Sequence, residues 1–173
     1  MDAAGEDEFR EFVQGRSASL LAMAYALTGD RPQAEDLLQA ALLHTYRRWP
    51  AIRTSGHPEA YVRRVMANQR ISWWRRRRVV EVPERLPERA GPAGHSSIEE
   101  RDELWRALAR LGPRTRAVLV LRYWEDLPER EVAEILRCSV GSVKSQASRG
   151  LRRLRTELEA DRAAAVHAEE AWS

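Results

Sequence analysis

The stretch that decides the fold is LPEREVAEILRCSVGSVKSQASRGLRRLRTEL, residues 127–158. The segment RCS reads as a tight turn between two short helical patterns. In the second pattern, apolar residues recur every three or four positions, which lays one apolar stripe along a helix. Two short helices joined by a tight turn, the second of them basic, predict a helix-turn-helix. The stripe predicted to face the core is Val140, Val143, Ala147, Leu151 and Leu154.

Small polar residues and arginines share the other face of this second helix, for which Ser139 is the predicted N-cap. Short side chains near the helix start allow close approach to base edges in a major groove, and arginines further along can reach phosphates. An ordinary solvated face is the alternative. We assign Lys144, Ser145, Ser148 and Arg149 to the groove and Arg152 and Arg153 to the backbone. The full candidate set is Ser142, Lys144, Ser145, Ser148, Arg149, Arg152 and Arg153.

Composition restricts the class of protein. The chain has 173 residues, of which 43% are hydrophobic and 32% charged, as in globular proteins of one or two domains. No apolar run approaches the roughly 20 residues that span a bilayer. The acidic start, MDAAGEDEFREF, lacks the order of a signal peptide. We therefore expect a cytoplasmic protein without membrane insertion.

The residue types of enzyme and metal sites are sparse. Cys138 is the one cysteine, so it has no internal disulfide partner, and a small half-buried side chain is the simplest interpretation of it. The four histidines are scattered without metal-ligand spacing. No phosphate loop or catalytic grouping stands out. We expect no metal, no cofactor and no enzymatic activity.

Basic residues are clustered, although the net charge is only +3. Four arginines fill positions 75–78, and residues 137–158 hold six Lys or Arg against one Glu. Two such clusters, each within a helical pattern, indicate a polyanionic partner.

Periodicity divides the chain into two helical parts. Residues 79–98 hold three prolines and two glycines without a sustained period, which is typical of a linker. We predict an all-α protein of two helical domains joined by a flexible linker. The predicted bounds are 7–80 for the first domain, 81–98 for the linker, 99–159 for the second domain and 160–173 for a frayed tail.

Several of these segments resemble one family. Residues 127–158 resemble the fourth conserved region of sigma-70-type factors, most closely the small extracytoplasmic-function (ECF) group. AEDLLQAALLHTYRRW, residues 34–49, resembles that group's second-region helix, and AYVRRVMANQRISWWRRRR, residues 60–78, its promoter-melting segment. The pieces SWWRRRR, ELWRAL and GSVKSQ are similar to the SigE-type branch. The resemblance covers about residues 7–158.

This resemblance implies a sigma factor that binds core RNA polymerase and directs promoter-specific initiation. The second domain would read the minus-35 element, and the first would read and help to melt the minus-10 element. The docking site for the clamp coiled coil of the largest polymerase subunit would include Asp36, Leu37, Leu38 and Gln39. Because adjacent leucines cannot both face their own core fully, we expect one of them outside. Ala40 departs from the glutamate of many members.

For the minus-10 element, Asn68 matches the family's base-capturing asparagine, and Ile52, expected in the loop of residues 50–58, matches an apolar pocket wall. An extruded base needs hydrogen-bond partners, and single-stranded DNA needs phosphate contacts. We expect Trp73 in the core and leave Trp74 open to DNA stacking, whereas Trp105 and Trp124 are expected in the second core. The remaining candidates here are Gln69, Ser72, Arg75, Arg76 and Arg77.

Other interpretations remain at this stage. A stand-alone helix-turn-helix regulator would leave residues 34–78 unexplained, and a module that sequesters a regulator would use its basic faces on an acidic partner. The resemblance also implies that an anti-sigma factor could clamp the two domains. Arg137 stands at a turn where relatives usually place glycine, because a left-handed conformation costs other residues on the order of 1 kcal/mol. Either the geometry of the turn differs slightly here or the domain tolerates that strain.

Overall fold

A computed structural model describes residues 2–79 and 96–170, and within these the side chains of residues 2–76 and 103–164. The described residues contain no strand, which confirms the all-α prediction. Cα distances divide the chain into two compact units, built largely from the helices before and after the predicted linker. Most of that linker, including its three prolines, lies outside the described residues. In the described parts, no helix has the length and apolarity needed to cross a bilayer.

The first unit contains four helices, whose boundaries follow from local capping. Asp2 caps the first helix by accepting a hydrogen bond from the Gly5 amide at 3.0 Å. Gly29, with φ of 75°, ends that helix, and Asp30 caps the next one through the Gln33 amide at 3.0 Å. The helices are α1 (Ala3–Thr28), α2 (Arg31–Tyr46), α3 (Trp49–Arg53) and α4 (Pro58–Val79).

The core of the first unit lies where α2 packs against both α1 and α4. Burying large side chains of this kind contributes roughly 1.5–3 kcal/mol each relative to full exposure. One buried cation, Arg70 of α4, donates to the Leu27 carbonyl at 3.4 Å near the end of α1. The largest fully buried apolar residues are Leu20, Met23, Leu27, Leu37, Val62 and Met66.

The short helix α3 replaces part of the loop predicted for residues 50–58, so that prediction is wrong. The Arg48 carbonyl accepts from the amides of Ala51 and Ile52, both at 3.1 Å. Trp49 anchors the helix, because its buried ring lies 5.0 Å from the ring of Phe9 and 5.3 Å from that of Phe12. These partners lie about 40 residues away in sequence, so local pattern carries no signal of them.

The second unit also packs around a helical core. Leu108, Leu111 and Leu119 are buried together, and Trp105 and Leu154 pack against them. Its first helix begins three residues before the predicted boundary of 99. The helical elements after the predicted linker are α5 (Ser96–Ala109), α6 (Pro113–Leu119), a π-helical turn (Val120–Trp124), α7 (Glu129–Leu136) and α8 (Val140–Glu170).

Helix α8 continues past residue 159, the predicted end of the second domain, through Glu170. Arg110, just beyond α5, donates to Asp161 at 2.9 Å and to Glu157 at 3.4 Å. The hydrogen bond with Asp161, opposed in part by burial, raises the pKa of Arg110. Asp161 therefore ties the extension of α8 to the end of α5, and Glu157 adds a contact one turn earlier.

Candidate nucleic-acid and polymerase interfaces

The turn between α7 and α8 has the geometry of a helix-turn-helix. Arg137 adopts φ of 49°, so the turn keeps the left-handed conformation without a glycine. The Cys138 amide donates to the Ala133 carbonyl at 3.0 Å, and the Arg137 amide donates to the Glu134 carbonyl at 3.4 Å. This pairing ends a helix through one left-handed residue. Cys138 is half-buried, as its small side chain predicted.

Ser139 is the N-cap of α8, as predicted. Its Oγ accepts a hydrogen bond from the Ser142 amide at 3.1 Å and lies 2.9 Å from the Ser142 Oγ. A serine cap contributes about 1 kcal/mol to helix stability. The side chains of Ser139 and Ser142 therefore stabilise the first turn of α8, where the candidate groove-facing surface begins.

The buried stripe of α8 differs from the predicted one. Val143 and Ala147 are buried, and Leu154 is half-buried, as expected, but Val140 and Leu151 are 38% and 42% exposed. The prediction that these two residues face the core is wrong. Gly150 takes the inward position instead, and a Cβ there would lie 2.7 Å from the Cγ2 of Thr115 in α6. Helix α8 approaches α6 too closely at this point for a side chain.

The opposite face of α8 is polar, basic and exposed. Lys144, Ser145, Ser148 and Arg149 are exposed, as are Arg152 and Arg153, while Ser142 is half-buried. All seven predicted candidates therefore lie away from the Val143 and Ala147 stripe. Sharing one face brings them together on a single helical surface, which is the arrangement that groove binding requires.

Several of these side chains have partners in the free protein. Ser145 Oγ donates to the Ser142 carbonyl at 3.1 Å, and Arg149 Nε donates to the Ser145 carbonyl at 3.2 Å. Arg153 Nε lies 3.8 Å from Glu157. A further ion pair crosses the motif, where Lys144 Nζ lies 3.7 Å from the carboxylate of Glu129 in α7.

Helix α4 carries the candidates for single-stranded DNA. Asn68 is half-buried, and its Nδ2 donates to the Arg64 carbonyl at 3.0 Å. At 100° per residue, Asn68, Ser72 and Arg75 lie about 120°, 80° and 140° around the helix from the buried Val62, on a flank of α4. Arg75 and Arg76 are exposed, and Arg76 donates to Ser72 Oγ at 3.3 Å. Gln69, Trp73 and Trp74 are half-buried, and the side chain of Arg77 lies outside the described residues.

Ile52 is placed differently from the prediction. It lies in α3 rather than in a loop, and its side chain is only 5% exposed. The expectation that a loop presents Ile52 is therefore wrong. Its role as a pocket wall stays a prediction.

The outward face of α2 is also different from the predicted one. Leu37 is fully buried and Leu38 is 8% exposed, so the expectation that one of them remains outside is wrong. Both are covered because α2 packs between α1 and α4, and adjacent residues differ by only about 100° around a helix. The candidates Asp36 and Gln39 are exposed. Leu43, one turn beyond Gln39 on the same face of α2, is 52% exposed.

Sequence reasoning missed Leu43 and also a stacked group at the start of α4. The Arg64 guanidinium lies 5.3 Å from the centroid of the Tyr61 ring, and the rings of His44 and Tyr61 stack at 6.1 Å. The three-residue spacing of Tyr61 and Arg64 was the available signal, since such pairs are neighbours on a helix surface. Tyr61 and Arg64 continue the Asn68 face of α4 towards its start.

In the second unit, Trp105 is half-buried but Trp124 is exposed, so the prediction that Trp124 lies in the core is wrong. The two rings pack on each other with centroids 5.2 Å apart. Trp124 ends the π-helical turn, whose wider winding changes the direction of side chains predicted from a regular helix.

A basic helix α4 and a helix-turn-helix formed by α7 and α8 are features typical of a DNA-binding protein. The sequence profile of Sigma-70 region 2 matches residues 13–79, and that of Sigma-70, region 4 matches residues 101–154. The chain belongs to the sigma-70 family, in its ECF group, and is a sigma factor of transcription initiation.

Its relatives include sigma-E factors of Streptomyces. The chain is 44% identical over 153 residues to RNA polymerase sigma-E factor of Streptomyces avermitilis, covering 88% of this chain and 86% of the relative. It is 45% identical over 152 residues to that of Streptomyces coelicolor, covering 87% and 86%. The structure of sigma factor RpoE in complex with anti-sigma factor NepR from Bartonella quintana superimposes with a TM-score of 0.70 at 23% identity, covering 89% of this chain and 98% of that one.

Proposed function

We propose that this sigma factor reads the minus-35 element of its promoters as duplex DNA through the exposed face of α8. The observation that carries this proposal is the separation of faces on one helix: Val143 and Ala147 are buried, whereas Lys144, Ser148 and Arg149 are exposed. Side chains near the helix start suit base edges, and those further along suit phosphates. Arg152 and Arg153 supply the salt-sensitive, sequence-independent part of the affinity.

The face of α4 that includes Asn68, Ser72 and Arg75 reads the minus-10 element and helps to hold it melted. An amide side chain can pair with the edge of an extruded base, and the exposed Arg75 and Arg76 can hold phosphates of the single strand. Gln69 and Arg77 remain candidates on the same helix. The half-buried Trp74 is a candidate for stacking on an unpaired base.

The exposed face of α2 docks on the clamp coiled coil of core RNA polymerase. Asp36 and Gln39 supply polar contacts, and Leu43 supplies the apolar contact that the buried Leu37 and Leu38 do not present. Apolar anchors surrounded by polar groups are the usual composition of a protein interface. The protein acts with the polymerase in the cytoplasm and confers promoter choice on it without catalysing a reaction itself.

An anti-sigma factor regulates this activity, on the same proposal. The Bartonella quintana sigma factor is described in complex with one, and the resemblance to ECF factors supports the extension to this chain. A pull-down from the native cell should recover such a partner. Full transcription by the free protein in that cell, with no partner recovered, would contradict the regulation while leaving the sigma activity intact.

Reconstituted transcription tests the function. Purified protein and bacterial core RNA polymerase are incubated on sheared genomic DNA, and the 5′ ends of transcripts are mapped. We expect discrete starts that share two upstream elements and that are absent with core enzyme alone. If no starts appear and the two proteins do not co-elute on a sizing column, a stand-alone regulator becomes the better interpretation.

A further inference from the structure

Glu129 places a carboxylate at the proposed DNA-reading surface. It is the first residue of α7, and its Oε2 lies 3.7 Å from the Nζ of Lys144 on α8. The helix dipole stabilises a negative charge in the first turn of a helix, and it therefore favours the Glu129 carboxylate at this position. Glu129 is half-buried, whereas the Lys144 side chain is mostly exposed and flexible. The ion pair therefore constrains Lys144 more than Glu129.

We propose that Glu129 is a specificity-determining residue, which restrains Lys144 so that the lysine favours its cognate base pair over phosphate. This inference rests on the proposed function of α8 as the duplex-reading helix. A lysine ammonium has three donors, so Lys144 can keep its contact with Glu129 while it donates to a base acceptor such as guanine O6 or N7. On non-cognate DNA the same ammonium turns to a phosphate and leaves the carboxylate behind.

Glu129 also repels DNA phosphates. The Glu129 carboxylate lies 3.7 Å from the ammonium group of a groove-facing side chain, well inside the screening length of about 8 Å at physiological salt. DNA phosphates approaching α8 therefore meet a negative charge that is compensated only while Lys144 stays beside it. A repulsive element of this kind raises specificity by weakening the wrong complexes. An exposed pair is weak, so we expect an effect of about two- to fivefold.

The neighbouring side chains do not substitute for this pair. Ser142, Ser145 and Arg149 bond to one another along α8. The Glu129–Lys144 contact is an ion pair that joins α7 to the groove-facing side of α8. Lys144 is therefore a side chain through which Glu129 can influence base reading.

The test measures binding of the full chain to two labelled duplexes of equal length. One carries the minus-35 element found by transcript mapping, and the other carries a scrambled element, over 50–200 mM salt. Glu129→Gln should raise affinity for the scrambled duplex two- to fivefold and affinity for the cognate duplex less, so the ratio of the two falls. The salt dependence on scrambled DNA should steepen by up to about one released counterion.

Glu159→Gln is the matched control, because it removes the same charge from an exposed position further along α8. It should leave the affinity ratio unchanged. Equal ratios for both variants would overturn the role of Glu129. Far-UV circular dichroism confirms that both variants are folded, and glutamine keeps the size of the side chain it replaces.

Lys144→Met separates this inference from the proposed function beneath it. If Lys144→Met weakens cognate binding and abolishes the effect of Glu129→Gln, the coupling is established. If Lys144→Met weakens cognate binding but Glu129→Gln still lowers the ratio in its presence, Glu129 acts without Lys144 and the inference is wrong. If Lys144→Met changes neither affinity nor ratio, the assignment of Lys144 as a reading residue fails and the inference fails with it.

Discussion

Replacing Gly150 by alanine should weaken the second unit, although alanine is the better helix former. In an open helix interior this change gains about 1 kcal/mol. Here the new Cβ would lie 2.7 Å from Thr115 Cγ2 and 3.2 Å from two side-chain carbons of Leu119. Overpacking of this kind costs roughly 1–3 kcal/mol. The two terms together predict a net loss of about 0–2 kcal/mol and a displacement of α8 from α6.

Hydrogen exchange of α8 amides between residues 143 and 154 measures this change in the second unit alone. Exchange in Gly150→Ala should accelerate up to about 30-fold, since 1.4 kcal/mol corresponds to a factor of ten. Gly141→Ala is the matched control in the same helix, because the nearest atom to its added Cβ is Ser139 Oγ at 3.9 Å. That control should exchange no faster than the parent protein.

The clash can also be relieved from the other side. Thr115→Ser removes the Cγ2 that the new methyl group would meet, so the double variant Gly150→Ala, Thr115→Ser should recover part of the lost protection. Duplex affinity should fall in Gly150→Ala and recover in parallel, because the exposed face of α8 moves with the helix. Slower exchange in Gly150→Ala than in Gly141→Ala would refute the close-packing argument.

Further variants test the three proposed interfaces. Lys144→Ala or Arg149→Ala should reduce discrimination between cognate and scrambled duplexes by about 5- to 100-fold, because a good base contact contributes about 1–3 kcal/mol. As the control, the affinity for core polymerase in sizing experiments should equal that of the parent protein. Asn68→Ala should slow promoter opening in a permanganate footprint, with a smaller defect on a pre-melted template; an equal defect on both templates would contradict its role. Leu43→Asp should lower the affinity for core polymerase in a folded protein, whereas Leu37→Asp should unfold the first unit; unchanged polymerase affinity in Leu43→Asp would remove that residue from the interface.

Local pattern was sufficient for the helix-turn-helix. The turn at Arg137, the cap at Ser139 and the inward Val143 all follow from short-range rules, and the structure has each of them. The rotation of α8 about its axis was not predictable in the same way. A hydrophobic pattern does not count glycine, so it predicts that Leu151 faces inward. In the structure α8 lies so close to Thr115 that Gly150, next to Leu151, takes the inward position.

The wrong predictions for the first unit arise from tertiary packing between helices. Leu37 and Leu38 are both buried because helices lie on two sides of α2, and a single-helix argument includes only one covered side. The segment around Trp49 has the sequence pattern of a loop. It forms the helix α3 because the Trp49 ring packs against Phe9 and Phe12 of α1. Long-range packing overrides weak local preference in both places. Exposed Leu43 became a candidate only after this packing was known.

Hydrogen bonds that the exposed side chains of α8 make in the free protein reduce what their DNA contacts add to the binding affinity. Arg149 already bonds to the carbonyl and hydroxyl of Ser145, so a DNA contact exchanges one exposed hydrogen bond for another. Such an exchange gives little net affinity by itself. Affinity must then come mainly from charge, through counterions released by the arginines, and specificity from the geometry that only the cognate pair satisfies. The Glu129–Lys144 pair contributes on the side of specificity, because it lowers the affinity from charge and leaves the cognate geometry available.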